Sequence, residues 1–405
     1  MPVGAKCIET RSRLDTILGM ECYLTASEPV KPKEVLNHDN FYVYEYIESI
    51  GVLKPPIAFH GTRGDLYAYL LIKRGVDTYR AINRVKKILK PKRISYYGLK
   101  DSRSTSYQII FVEKPENLET YVFDRNIEAI MLGISGRHAK RGGNVGNCFK
   151  ILLESLINYN DIQKISEILD EIEKTGFIPN YYSYQRFGVK RPITHVAGMG
   201  VLCGSYENAL RAIVTGDPYA DPSIDLVERC SEIITKGPAW MNIERIVCRK
   251  YIETRDPEKA VKSLPENYLE LYISALLSYI FNLYLSLRWR DYGLSLEPAR
   301  GEVLLRSRVH GVKIPGVRIS ISTGGEPSYV VIEALGRYGI KDCKPRTGGS
   351  ITRSLVLPID FKNRREILEF CLDSGGYATN LLREVFKEYT PVLLSPDLNL
   401  GSCYH

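Results

Sequence analysis

Residues 41–47 read FYVYEYI and residues 65–73 read DLYAYLLIK, two stretches dominated by aromatic and aliphatic side chains. That pattern predicts strands. After the second stretch, Asp77 or Thr78 is placed to cap a helix running to about Lys90. Ala81, Ile82, Val85, Ile88 and Leu89 recur there at helical spacing on one face. Shorter apolar runs at 94–97 (ISYY), 107–113 (YQIIFVE) and 148–154 (CFKILLE) predict further strands. A second helix is expected over about 161–175, with Ile162, Ile165, Ile168, Leu169 and Ile172 inward and Gly176 as its stop.

The first half therefore mixes strands and helices without the regular alternation of a doubly wound sheet, which points to an α+β class with a mixed, mainly antiparallel sheet. From about 193 to 290 the strand signal vanishes and helical patterns dominate. A strand region follows over 302–333, with a helix near 328–338, and the last 55 residues return to strand and helix through SLVLPI, REILEFCL and ATNLLREVF. A helix-rich middle between two similar ends predicts an inserted domain. Leu271–Leu287 is uncharged, but it is short for a membrane crossing, carries Ser274, Ser278 and Asn282, and adjoins Glu270. With Pro265 near its start, it reads as a buried helix. The opening MPVGAKCIETRSRLD lacks the apolar stretch of a secretion signal.

Composition narrows the partners. The 405 residues are 44% hydrophobic and 25% charged, which excludes wholesale disorder, and the length favours two domains. Lys plus Arg (55) exceeds Asp plus Glu (47), and a net charge of +8 leans toward a polyanionic partner such as nucleic acid. Nine cysteines and six histidines show no metal-ligand spacing, so no metal site is expected. The odd cysteine count argues against a closed disulfide framework and for a reducing, cytoplasmic setting. Three glutamines, few Met and many Tyr hint at a hot habitat, against which the nine cysteines weigh. Gly198, Gly200 and Gly204 follow no strand and no GxxxxGK[ST] occurs, so no nucleotide cofactor is expected.

Two basic clusters stand out. Arg84, Lys86, Lys87, Lys90, Lys92 and Arg93 crowd the polar face of the first helix and the loop after it; Arg137, His138, Lys140 and Arg141 precede a glycine-rich turn. One such cluster is ordinarily a solvated face. Two flanking the same strand pair suggest a surface that tracks phosphates. Between them lies YYGLKDSRSTSYQ, residues 96–108. A Lys–Asp pair on a turn is usually a surface ion pair of little worth. Here a strand ends at Tyr97, Gly98 turns the chain, and Asp101 sits among cations and hydroxyls, so an ionised carboxylate is expected.

GLKDSRSTSYQ resembles the signature of the TruD family of tRNA pseudouridine synthases, roughly AGxKDRxAxTxQ. Four more segments agree in order: HDNFYVYE (38–45), RHAKRGGNVGNCF (137–149), PNYYSYQRFG (179–188) and GGYATNLLRE (375–384) resemble the family's PEDFxVxE, HxxKLRxGxLxGNxF, PNYFGxQRFG and GSYATxxLRE. Departures are Tyr97, Ser102, Ser104 and Ser106 within the signature, and Leu276 where the family's AYQSxxFN has Gln.

The resemblance implies a pseudouridine-synthase core over 1–190 and 350–405 with a family-specific inserted α+β domain over 191–349. It implies a monomeric, membrane-free enzyme that isomerises a uridine of tRNA, usually uridine 13, without a cofactor. Asp101 matches the family's essential aspartate, Phe149 the aromatic that stacks on the target base, Asn147 its polar neighbour and Phe41 a further active-site aromatic. A stacked base is worth roughly 1–3 kcal/mol, enough to hold a detached uracil. Lys100, Arg103 and Gln108 are expected at the substrate. The family's lysine upstream of FxVxE falls on Val35 by spacing, so Lys33 or Lys31 is the candidate cation beside Asp101, with Lys100 and Arg103 as local alternatives. The rival class is an RNA-binding or RNA-folding protein of the same fold without catalysis; the serine and Leu276 departures are its support.

Overall fold

The computed structural model describes residues 4–61, 63–136, 138–140, 142–364 and 366–395. FYVYEYI forms strand β1 (Phe41–Ile47) and LYAYLLIKR forms β2 (Leu66–Arg74), both at the centre of a ten-stranded sheet where apolar side chains are buried on two faces. Helix α1 (Thr78–Leu89) starts where the Asp77 side chain accepts the Arg80 N–H, and its inward stripe is the one its spacing predicts. Strands β3 (Pro91–Tyr96) and β4 (Thr105–Pro115) follow, then a hairpin of β5 (Tyr121–Asp124) and β6 (Ile127–Ser135), then β7 (Gly146–Leu152). Helix α2 (Ile162–Thr175) ends at Gly176, whose φ of 77° is the left-handed cap expected of that glycine.

Beyond the short strand β8 (Phe177–Pro179), the chain becomes helical: α3 (Thr194–Cys203), α4 (Tyr206–Thr215), α5 (Leu226–Lys236), α6 (Asn242–Thr254), α7 (Pro257–Lys262) and α8 (Glu266–Tyr292). Strands β9 (Val303–Arg306), β10 (Lys313–Ile321) and β11 (Gly349–Ser354) make a separate three-stranded sheet, with α9 (Tyr329–Gly336) between its last two members. Strand β12 (Val356–Pro358) pairs with β8, β13 (Ile367–Asp373) returns to the large sheet beside β7, and α10 (Ala378–Phe386) is followed by the short helix α11 (Thr390–Leu394) at the end of the described chain. Helix α8 is long and apolar enough to cross a membrane by length and composition, yet 67% of its most apolar window is buried inside the fold.

The large sheet is mixed and mainly antiparallel, its parallel pair being β1 with β4. That pair decides where the signature loop goes. The first three residues of β4 (Thr105–Tyr107) run beside β1, whereas Ile110–Pro115 pair with β3. Residues 97–104 therefore run from the end of β3, opposite Ile110, back to the first residues of β4 beside β1.

Six cysteines form three disulfides, Cys7–Cys22, Cys148–Cys371 and Cys203–Cys343, while Cys230 and Cys248 are free and buried. The expectation of no disulfide framework is corrected. The partners stand 15, 223 and 140 residues apart, so pairing follows from strand and helix neighbours that cysteine spacing does not report. Disulfides also remove the objection that nine cysteines raised to a hot habitat.

Candidate active site

Sheet register gathers the site. Residues directly opposite each other share a face, and one row across five strands reads Phe370, Phe149, Val43, Ser106 and Lys73. Asn147 stands beside Phe149 on the same face, opposite Glu45 of β1. The Phe41 and Phe149 rings are parallel with centroids 6.1 Å apart, and Phe149 also stacks on Phe370 at 5.2 Å. Above this face opens a cleft of about 680 Å³. Its walls are Phe41, Val43, Asn147 and Phe149 from the sheet, Tyr97–Ser102 from the signature loop, Gln185, and Gly375–Thr379.

Asp101 is half-buried in that cleft. One carboxylate oxygen accepts the Arg103 backbone N–H at 2.8 Å, and the other accepts Gln185 Nε2 at 2.9 Å. Gln185 lies in the PNYYSYQRFG segment, whose other members lock it in place. Asn180 Nδ2 donates to the Ser354 carbonyl, the Tyr184 hydroxyl donates to Asp15, and Ser183 accepts the Thr379 hydroxyl.

The buried cation behind Asp101 is Lys73. Its Nζ donates to the Asp101 carbonyl at 2.6 Å and to the Val76 carbonyl at 2.9 Å. Burial lowers its pKa to about 8, while the carboxylates of Asp101 and Asp77 act in the opposite direction. Lys73 thus pins the backbone of the loop and places positive charge beneath the Asp101 carboxylate.

Lys100 turns elsewhere. Its Nζ donates to Glu45 Oε1 at 2.6 Å and to Asn147 Oδ1 at 2.9 Å, in a buried ion pair whose second Glu45 oxygen accepts the Ile109 N–H. With its oxygen occupied, Asn147 turns its amide N–H groups to the cleft. Thr78 at the start of α1 fixes the loop from the other side by accepting the Lys100 N–H at 3.0 Å.

The other predicted residues fall as follows. Arg103 gives Asp101 its backbone N–H. Gln108 is buried outside the cleft lining; its Oε1 accepts the Thr78 hydroxyl at 3.5 Å, and its Nε2 has no partner among the described residues. Lys33 is exposed, with its N–H on the Leu156 carbonyl, and neither it nor Lys31 lines the cleft. The cation that reaches the Asp101 carbonyl is thus Lys73, downstream of β1, rather than Lys33 or Lys31 upstream of it.

Arg84, Lys86, Lys87, Lys90, Lys92 and Arg93 are all exposed, with Arg84 on Asp124 at 2.7 Å and Lys92 on Glu113 at 3.1 Å. Lys140 is exposed near the rim, where Gly142 lines the cleft. Arg137 and Arg141 lie outside the described residues. Lys92 and His138 share Glu113, so the two clusters meet. Among the described residues no group of three or more His, Cys, Asp or Glu side chains is placed to hold a metal ion.

Lys73, Glu45 and Gln185 went unnamed from sequence. Gln185 carried a signal, being one of three glutamines and inside a motif. Lys73 reads as an ordinary strand-end charge beside Arg74.

The comparisons agree with the geometry. Residues 17–319 match the family model for tRNA pseudouridine synthase D (TruD). Two archaeal proteins, each carrying the name "Probable tRNA pseudouridine synthase D", align over nearly the whole chain. The Pyrococcus furiosus protein is 30% identical over 92% of this chain and 99% of its own length, and that of Saccharolobus solfataricus 28% identical over 93% and 98%. A crystal structure of a Methanosarcina mazei chain assigned to TruD superposes with a TM-score of 0.67 at 22% identity, covering 93% of this chain and 98% of that one, which shows the fold.

Proposed function

We propose, from the premise that the chain belongs to the TruD family of tRNA pseudouridine synthases, that it isomerises a uridine of tRNA to pseudouridine with Asp101 as the catalytic residue and uridine 13 as the target. The observation that carries this reading is one carboxylate held by two N–H donors at the edge of an aromatic-walled cleft. The reaction breaks N1–C1′, turns the base and joins C5 to C1′; the C5 proton leaves and N1 regains one. Nothing is oxidised and no group is lost. Asp101 either attacks C1′ or takes a ribose proton, and both routes need an ionised carboxylate facing the sugar. Phe149 and Phe41 supply apolar faces that keep the freed base from leaving. The Asn147 amide, oriented by Lys100, donates to a uracil carbonyl.

The target base must leave its stack to reach the cleft. The test is tritium release from C5-labelled tRNA transcripts, with the modified position mapped. The parent is expected to release tritium and Asp101→Asn to release none, while tRNA affinity stays within a few-fold. Asn fits because its Oδ1 keeps the Arg103 N–H and Gln185 can present its oxygen to the new amide. Full turnover by Asp101→Asn sinks the catalytic assignment. A parent that binds tRNA and releases nothing favours an RNA-binding protein.

A further inference from the structure

A second pocket, of about 420 Å³, opens in the helical stretch; apart from Gly188, the last residue of PNYYSYQRFG, its lining falls outside the motifs. Trp240, in the turn before α6, is 60% exposed on its rim, and Leu271 and Tyr272 of α8 form part of the wall. An indole left open beside a cavity of that size is a platform for a flat ring.

The wall also holds charge. Arg191 and Glu244 line the pocket with side chains only 17% and 15% exposed, joined as an ion pair. Arg191 is anchored further by a 2.6 Å bond to the Ile213 carbonyl. A side chain at Gly216 would run into its guanidinium, so the glycine keeps the room it occupies. Fixed donor and acceptor groups on one wall and an aromatic plane on the rim are the elements that recognise a nucleobase.

Two observations select RNA as the source of that base. Gly188 lines this pocket and follows Gln185 by three residues, so the pocket begins within about 11 Å of the residue that holds Asp101. Between Glu173 and Glu207 the chain carries no carboxylate, and Lys190 of that stretch lines this pocket beside Gly188, a cation placed for the backbone of a polyanion leaving the cleft. We propose that this pocket receives a second nucleobase of the bound RNA, stacked on Trp240 with its polar edge toward Arg191 and Glu244. The proposal rests on the reading of the Asp101 cleft as an RNA-modifying site.

Tryptophan emission tests it directly, because the chain has two tryptophans and Trp289 is fully buried. Acrylamide quenching therefore reports Trp240. Saturating tRNA is expected to protect Trp240 in the parent. Trp240→Ala is expected to weaken tRNA binding about ten- to hundredfold, raising KM with kcat unchanged, and Trp240→Phe to stay within about threefold. Thermal unfolding of both variants should match the parent, since the side chain is exposed. A parent that modifies tRNA while Trp240 stays open to acrylamide overturns this proposal alone. So does protection by millimolar mononucleosides and not by tRNA, which marks a small-molecule pocket. Protection by tRNA without isomerisation supports the pocket and sinks the functional reading instead.

Discussion

Lys73 is a buried ammonium whose hydrogen bonds all run to backbone carbonyls, with the Asp101 carboxylate felt through space. Its proton is released near pH 8 in the folded chain and near 10.5 in the unfolded one. The unfolded state therefore binds more protons between those values, and the Lys73 contribution makes stability rise with pH across that window. Activity runs the other way, because deprotonation removes the positive charge beneath Asp101. The parent kcat is expected to fall as pH rises past about 8. Lys73→Met is expected to lose at least about tenfold in kcat, to lack that alkaline limb, and to lack the stability gain in urea unfolding between pH 8 and 10.5. A limb that persists in the variant assigns it to another group. Gln185→Glu probes the other side of Asp101. Two carboxylates at hydrogen-bond distance share a proton, which raises one pKa, so activity should drop at pH 6 and partly recover by pH 8 in a pH–rate profile. Asp101, Asn147 and Phe149 were legible because each sits in a recognisable motif. Lys73 was not, since it lies outside every motif and 28 residues from Asp101, and Glu45, though it ends the HDNFYVYE motif, has its partner Lys100 55 residues away, where only the fold reveals its role.

At the scale of elements, β1 and β2 could be read from their aromatic and aliphatic content, which a strand buried on both faces requires, and α1 and α2 from the helical spacing of the apolar residues each buries. The β5–β6 hairpin could not. Its turn is Arg125–Asn126, with Arg125 at a φ of 48°, in place of a glycine-bearing turn, and IEAIMLGIS lacks clean alternation. The Cys148–Cys371 bond was equally hidden. It joins β7 to β13 on the face opposite the cleft, in a row that continues through Tyr44 and Tyr107. Cys148 lies between Asn147 and Phe149, so this bond braces the strand that presents both residues. Replacing Cys148 and Cys371 by serine is expected to cost about 2–4 kcal/mol in denaturant unfolding. The isomerisation rate well below the unfolding transition should change little, because the hydrogen-bonded register of β7 with β1 remains. A variant as stable as the parent would show the bond to be neutral.

Across the whole molecule, the net charge of +8 is a small excess, and its distribution carries the consequence. Arg84 and Lys92 are paired with Asp124 and Glu113, whereas Lys86 and Lys87 stand exposed on α1, the helix whose first turn holds the signature loop through Thr78. A phosphate chain entering the cleft along α1 meets Lys86 and Lys87 as cations with no carboxylate to displace among the described residues. Lys86→Ala with Lys87→Ala is expected to weaken tRNA binding and to reduce the slope of log affinity against log salt by about 1 for each phosphate no longer neutralised. Lys92→Ala should change the slope less, because its loss also frees the Glu113 carboxylate from an existing pair. Turnover at saturating tRNA should survive in all of these variants, since none of the three lysines lines the cleft. Binding titrations at several salt concentrations, run beside single-turnover tritium release, separate the two effects. An unchanged slope in the double variant would place the RNA backbone on a different face and leave α1 as a solvated surface. A loss of kcat with the slope intact would instead show that α1 acts on the cleft through Thr78 and Lys100 rather than on the RNA.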